Sequence, residues 1–434
     1  MSTHLSSIED TIPLLNAKLI NRASQKPLYE GSGYVKREDK SFSIHCVCPV
    51  VHGDPFSWIN NAPPSGTLLG DENLYDLVAN MPNGDLFVAE RVHPNTTQRS
   101  SGCCEICTRS RNIWISDLYP VPEHTHSMTV YFDLVNTNHY QHPIPPVDGM
   151  KCPLYEFIHQ RINQDGRLYK VSFDKEQTTI QVRAEKTLNI NDTIQDLQNV
   201  LSFAFFTPVY FHTARFASDN KACIAYSAGS TPVQAHPICG SPTQPGYSNR
   251  NIYNLISATL SSIPKQSSTF GDLLIHASLI SAHRRSHIEE LAFTSCKALE
   301  YAVNRDQYAL TTTGNQDLNQ ECDSIKHLLN EQEHPLMYKR IIGLLDSAAL
   351  ESTNARIKRL ENESLIPNGA SSAFKNVRHK IAHGHLLKQN EIDRAFWDTH
   401  KVIDSFNRLL LRESGYKGPI TVYAEPGWPI TYMQ

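Results

Sequence analysis

The spacing of apolar residues changes once along this chain, and the change restricts the folds open to it. Up to about residue 245, short runs of β-branched and aromatic residues recur between turn signals. Ser41–Val51, Leu86–Val92, Arg111–Ile115, Met128–Leu134, Tyr169–Phe173 and Thr179–Val182 read as strands. Clusters of Gly, Pro, Asn and Asp separate them, as at Asn61–Gly66 and Met81–Asp85. One helix is expected at Asp192–Phe205, with Asp192 as its cap and Ile194, Leu197 and Leu201 at helical spacing.

Gly229–Asn251 is poor in apolar residues and rich in Ser, Pro, Gly and Thr, which marks a linker or long loop. Beyond it the apolar period becomes helical. Ser286–Val303, Leu336–Leu350, Ala355–Leu365, Ser372–His383 and Ile392–Leu410 each carry an apolar stripe. Pro335 stands at the opening of the second, and Ser371 or Ser372 would cap the fourth, with Gly384 ending it. Five helices with short joints imply a bundle. The short run Ile420–Tyr423 is β-like and is expected to pack on it. The fold class expected is α+β: a β-rich domain over residues 1–245 and a helical one over 246–434.

At 434 residues the chain exceeds what one hydrophobic core organises, so two domains are also the expectation from length. A net charge of −4 gives no global sign of a nucleic-acid partner, so such a partner has to be read from local charge. Met1–Leu15 lacks a basic start followed by an apolar run, and Val200–Phe211, the most apolar stretch, is too short to span a bilayer. No secretory signal and no membrane segment are expected, and a cytoplasmic location is the default.

The string Val377-Arg378-His379-Lys380-Ile381-Ala382-His383-Gly384-His385 ends the fourth expected helix. It resembles the Arg-x4–6-His signature of HEPN domains, in which a polar residue often follows the arginine. Here the arginine is Arg378, the polar residue His379 and the histidine His383. More narrowly, the chain resembles the ApeA group of anti-phage abortive-infection proteins, which join a β-rich N-terminal region to a C-terminal HEPN domain. The matched motif lies within residues 285–415, and the N-terminal half shares layout only. The resemblance implies an all-α HEPN bundle and a metal-independent endoribonuclease with catalytic Arg378, His379 and His383. It also implies an active site formed at a homodimer or higher homo-oligomer interface. The substrate would be cellular RNA, tRNA being one candidate. The β-rich domain would sense a phage-derived trigger or restrain the nuclease.

The residue chemistry suits such a role. Imidazole titrates near working pH and can move protons. Guanidinium stays charged and grips phosphate oxygens with a fork of donors. Residues five apart on a helix sit about 140° apart around its axis and about 7.5 Å along it. Arg378 and His383 therefore do not share a face, whereas His379 and His383 do. A second copy across a two-fold axis would complete the site. Between Asn354 and Lys388 stand Arg356, Lys358, Arg359, Lys375, Arg378, Lys380 and Lys388, opposed only by Glu361 and Glu363. Such a run is either a phosphate-binding footprint or a solvated helix face.

The cysteines are crowded at two places. Cys46, Cys48, Cys104 and Cys107 are the candidate ligands of a structural zinc that would staple an insert around residues 45–107, with His45, His52, Cys103, His124 and His126 as further donors. Separate thiols are the other reading. No cofactor is expected for catalysis. Three other functions stay open: an inactive HEPN module that binds RNA or dimerises, the toxin of a toxin–antitoxin pair, and a metal-dependent enzyme centred on the cysteines.

Overall fold

The computed structural model describes residues 11–38, 41–49, 70, 73–100, 103–132, 159–162, 166–173, 178–218, 221–228, 248–263, 268–284, 286–308, 316–328, 335–349, 352–382 and 388–433. The chain is α+β, a large antiparallel sheet followed by helices. It divides into two compact units, Met1–Leu201 with Thr207–Ala235, and Ser202–Phe206 with His236–Gln434.

In the first unit, fourteen described strands form one antiparallel sheet. In chain order these are β1 (Ile12–Asn21), β2 (Pro27–Arg37), β3 (Phe42–Pro49), β4 (Tyr75–Asn80), β5 (Leu86–Val92), β6 (Pro94–Ser100), β7 (Cys103–Ser110), β8 (Asn112–Ser116), β9 (His124–Phe132), β10 (His159–Ile162), β11 (Arg167–Phe173), β12 (Thr178–Asn189), β13 (Phe211–Ser218) and β14 (Lys221–Ser227). Across the sheet they run β10-β11-β12-β9-β13-β14-β8-β5-β4-β1-β2-β3-β7-β6. Alternation buries one face: Leu14, Leu19, Val35, Ile44, Leu77, Phe87 and Ile113 belong to a single apolar cluster. Cys46 and Cys48 lie in that cluster too.

Two glycines in β2 let β3 come close. A Cβ built on Gly31 would lie 2.2 Å from the carbonyl oxygen of Val47, and one on Gly33 would lie 1.9 Å from that of His45. Both distances are far inside contact, so these positions exclude any side chain.

Helix α1 (Ile190–Phe205) starts two residues before the expected cap. Asn189, not Asp192, does the capping: its Oδ1 accepts the N–H of Asp192 at 3.0 Å. The last residues of α1 belong to the second unit, where Ser281 donates to the carbonyl of Ser202 at 3.1 Å and Arg284 to that of Phe206 at 3.2 Å.

The second unit contains α2 (Ser248–Ser262), α3 (Ser268–His283), α4 (Ile288–Val303), α5 (Gln316–Leu328), α6 (Pro335–Ala349), α7 (Thr353–Asn362), α8 (Ala370–Ala382) and α9 (Ile392–Glu413). Helix α9 packs against α4, α8 and α3, and α4 against α3, α7 and α8. Phe270, Leu299, Phe374, Ile403, Phe406 and Leu410 fill the space between them. A small hairpin, β15 (Pro419–Thr421) with β16 (Ile430–Tyr432), closes the chain. The tail packs as expected: Val422 and Tyr423 are buried, and the Asp404 carboxylate of α9 accepts the N–H groups of Tyr423 and Ala424. Burial raises that carboxyl to about 7, against two backbone donors and Arg408.

Helix α8 begins at Ala370, ahead of the serines expected to cap it. Its start is held by a carboxylate from α7. Glu361, 9% exposed, accepts the N–H of Gly369 and of Ser371, each at 3.0 Å, and Lys358 at 3.0 Å. Burial alone would raise this carboxyl, but the N–H groups of Gly369 and Ser371 and the Lys358 ammonium outweigh it, and it sits below the usual glutamate value. Stability linked to Glu361 is therefore present above the unfolded-state value and lost as pH falls through the folded one. Glu361→Ala is expected to cost about 1–3 kcal/mol, since it strands two N–H donors. Urea melts at pH 7 and pH 4 check this, with a smaller difference from wild type at pH 4.

Candidate functional site

The C-terminal half of α8 carries Arg378 and His379, two of the three residues singled out from the sequence. Arg378 and His379 are both exposed, and His383 lies outside the described residues, as do Gly384 and His385. Phe374 and Val377 are buried, so α8 turns one face into the bundle and the other outward.

Arg378 has an anchor that the sequence did not point to. Its Nε donates to Oε1 of Glu300 on α4, 78 residues away in the chain, and its guanidinium lies 5.9 Å from the centre of the Phe374 ring. Glu300 is 15% exposed in its side chain, Arg378 53%. Lys297 sits 3.5 Å from the other carboxylate oxygen of Glu300. A mostly buried carboxylate thus fixes one edge of the guanidinium while its outer part stays in solvent.

Beside the motif lies a cleft of about 100 Å³ lined by Ala292, Asn376, Val377, Lys380, Arg394, Ala395 and Asp398. Asn376 donates to Asp398 at 3.1 Å, and Arg394 lies 3.8 Å from the same carboxylate oxygen. Lys380 is paired with Glu391 at 2.8 Å, and Glu391 also accepts the N–H of Lys388. The Lys380 ammonium and the Lys388 N–H hold the Glu391 carboxyl below its usual range. The cleft offers amide, carboxylate and guanidinium groups over an apolar floor. Arg394 and Asp398 recur four apart on α9, but such pairs are common on solvated helices, so nothing in the sequence marked them.

The basic run of α7 and α8 is less positive than its composition. Lys358 pairs with Glu361, Arg359 with Glu363, Arg378 with Glu300 and Lys380 with Glu391. Arg356 donates to the carbonyl of Val303. Glu300 and Glu391 lie outside the stretch in which the charges were counted, which is why the count missed them.

Among the described side chains, Cys46, Cys48 and Cys107 do not converge on one point. Strand β3 pairs with β7 so that His45 faces Cys107 and Cys48 faces Cys104. Successive residues alternate between faces. Cys46 and Cys48 go to the apolar core, and burial, with smaller contributions from Cys48 and Cys107, pushes the Cys46 thiol up to about 12. Cys107 stands instead with His45 and Glu105, its Sγ 3.1 Å from His45 Nδ1. The side chains of Cys104 and His52 lie outside the described residues. His124 and His126 are on β9, far from β3 in the strand order.

Among the described residues, no helix is long and apolar enough to cross a membrane. Compared with family models, curated proteins and solved structures, the chain matches none.

Proposed function

We propose that the helical unit is a HEPN-type ribonuclease bundle that cleaves cellular RNA without a metal, and that Arg378, His379 and His383 form its reactive set. The observation that carries this reading is the solvent-facing placement of Arg378, steered by the Glu300 carboxylate. Here the Glu300 contact takes Nε while about half of the side-chain surface stays exposed, which leaves room for a phosphate at the terminal amino groups.

In the proposed step, the 2′-hydroxyl oxygen of a ribose attacks the adjacent phosphorus. The new P–O2′ bond forms as the P–O5′ bond breaks. His383 takes the hydroxyl proton and releases it to solvent, and the departing 5′ oxygen takes a proton from water, leaving a 2′,3′-cyclic phosphate and a 5′-hydroxyl. Arg378 stabilises the charge that grows on the phosphorane oxygens. His379, four residues before His383 in the sequence, is assigned a bond to the same phosphate or to the twin motif of a second copy. The five-residue spacing favours a homodimer, because one helix does not present Arg378 and His383 on one face. The β-rich unit is assigned the sensing of a phage-derived trigger, in keeping with a role in abortive infection.

Sequencing RNA ends after brief expression of wild type and of His383→Ala tests the reading and reports the substrate, tRNA included. New 5′-hydroxyl ends are expected only with wild type, together with slowed growth. A wild-type dimer that binds RNA and yields no new ends, with or without phage infection, would make the bundle a binding module instead.

A further inference from the structure

From the geometry of β3 and β7 we infer an open divalent-metal site in the sheet unit, with His45 Nδ1, a Glu105 carboxylate oxygen and Cys107 Sγ as ligands and zinc as the ion. These three atoms lie within 4.8 Å of one another. Nδ1 is 3.1 Å from Sγ and 3.6 Å from Oε1 of Glu105, and Sγ is 3.9 Å from that oxygen. Zinc bonds of about 2.3 Å to sulfur and about 2.0–2.2 Å to nitrogen and oxygen place tetrahedral ligand atoms about 3.3–3.6 Å apart. The triad already has nearly the edge lengths of one face of that polyhedron.

The strand frame explains the convergence. His45 and Cys107 are register partners, and Glu105 is two residues from Cys107, hence on the same face. The imidazole is held from two further sides. Ser43 Oγ is 3.1 Å from Nε2, and the Tyr34 ring stacks on His45 at 4.8 Å and 12°. A bond from Nε2–H to Ser43 places the lone pair on Nδ1, which is the atom facing Cys107 and Glu105. This is the outer support usual for a metal-bound histidine. Without an ion the three groups are joined through the thiol, whose Sγ is within hydrogen-bond reach of both His45 and Glu105, and a bound cation would displace that thiol proton. His45 and Glu105 keep 27% and 41% of their side-chain surface exposed, so the fourth position opens to solvent. Mixed nitrogen, oxygen and sulfur donors suit zinc, and three protein ligands with one open position is the arrangement in which zinc also binds water or a substrate atom. This ligand set replaces Cys46, Cys48 and Cys104 by residues on the opposite side of β3 and by Glu105.

The test uses the full chain, stripped with a chelator and titrated with Zn²⁺ or Co²⁺ alone. Wild type is expected to bind one equivalent, to melt at higher temperature with Zn²⁺, and to give a thiolate-to-cobalt absorption band. Cys107→Ser should abolish the band and the thermal shift while its apo form melts as wild type does. Cys103→Ser, on the same strand, should keep both. Wild type that takes up neither ion overturns the inference. A thiolate band that survives Cys107→Ser, or one lost in Cys103→Ser, overturns the ligand set.

Discussion

Arg378→Ala is expected to lower RNA cleavage by about 10²–10³-fold, the usual effect of removing one donor to a developing oxyanion. Stability should change little, because the arginine end of the pair is half exposed and screened by solvent, and Lys297 remains beside the Glu300 carboxylate to balance its charge. The separation of the two effects is the point of the test. Arg378→Lys keeps the charge but loses the planar fork, so activity between the two extremes is expected. His383→Ala should cost about 10²–10⁴-fold, and the double variant little more than the worse single one, since the two groups serve one transition state. Cleavage rates on a defined RNA, measured beside unfolding curves, decide it. An Arg378→Ala protein that cuts as wild type does while melting normally would remove Arg378 from the chemistry.

The largest effect on stability is expected from Arg305→Ala. Arg305 follows α4 and pairs with Glu413 at the end of α9, and its other amino group donates to Thr269 at the start of α3. The pair is enclosed, with 13% and 4% of side-chain surface exposed. Removing the arginine leaves a buried carboxylate without its cation, which costs about 3–5 kcal/mol. The loss should depend on pH. Burial already raises the Glu413 carboxyl above its usual range, with Arg305 opposing, and without Arg305 it rises further. A raised folded-state value means stability is fully present below the unfolded-state value and drains away as pH climbs through the folded one. The variant should therefore come closest to wild type near pH 4 and fall furthest behind at pH 8. Guanidinium melts across that range check it. A double change to Arg305→Met with Glu413→Leu should recover most of the loss, because no lone charge is then buried.

Residues with strong period were legible, and those fixed by distant partners were not. Strands β3, β5, β8, β9, β11 and β12 lie where alternation put them, and α4, α6, α7, α8 and α9 begin and end within a few residues of expectation. β2 escaped because Gly31 and Gly33 break its apolar alternation, and their purpose shows only against the β3 backbone. β7 escaped because its cysteines drew a metal-knuckle reading, although a strand was the element that carried them. Helices α2, α3 and α5 were passed over: α3 is apolar on nearly all sides, and α2 and α5 are rich in polar residues. At the candidate site, Arg378 and His379 were singled out because their string resembles the HEPN signature, whereas nothing local pointed to Glu300, 78 residues earlier. The α8 cap is the same lesson, since local serines were available and a tertiary carboxylate took the role.

The bare backbone at position 33 has a bearing on how relatives of this chain should be sorted. A sequence keeping His45, Glu105 and Cys107 but carrying any side chain at 33 would have to push β3 outward by more than an ångström, and the imidazole would travel with it. Such a protein would keep the three residues of the proposed ion site with their spacing altered. Glycine at 33 thus bears on the proposed site, although it touches no ligand atom.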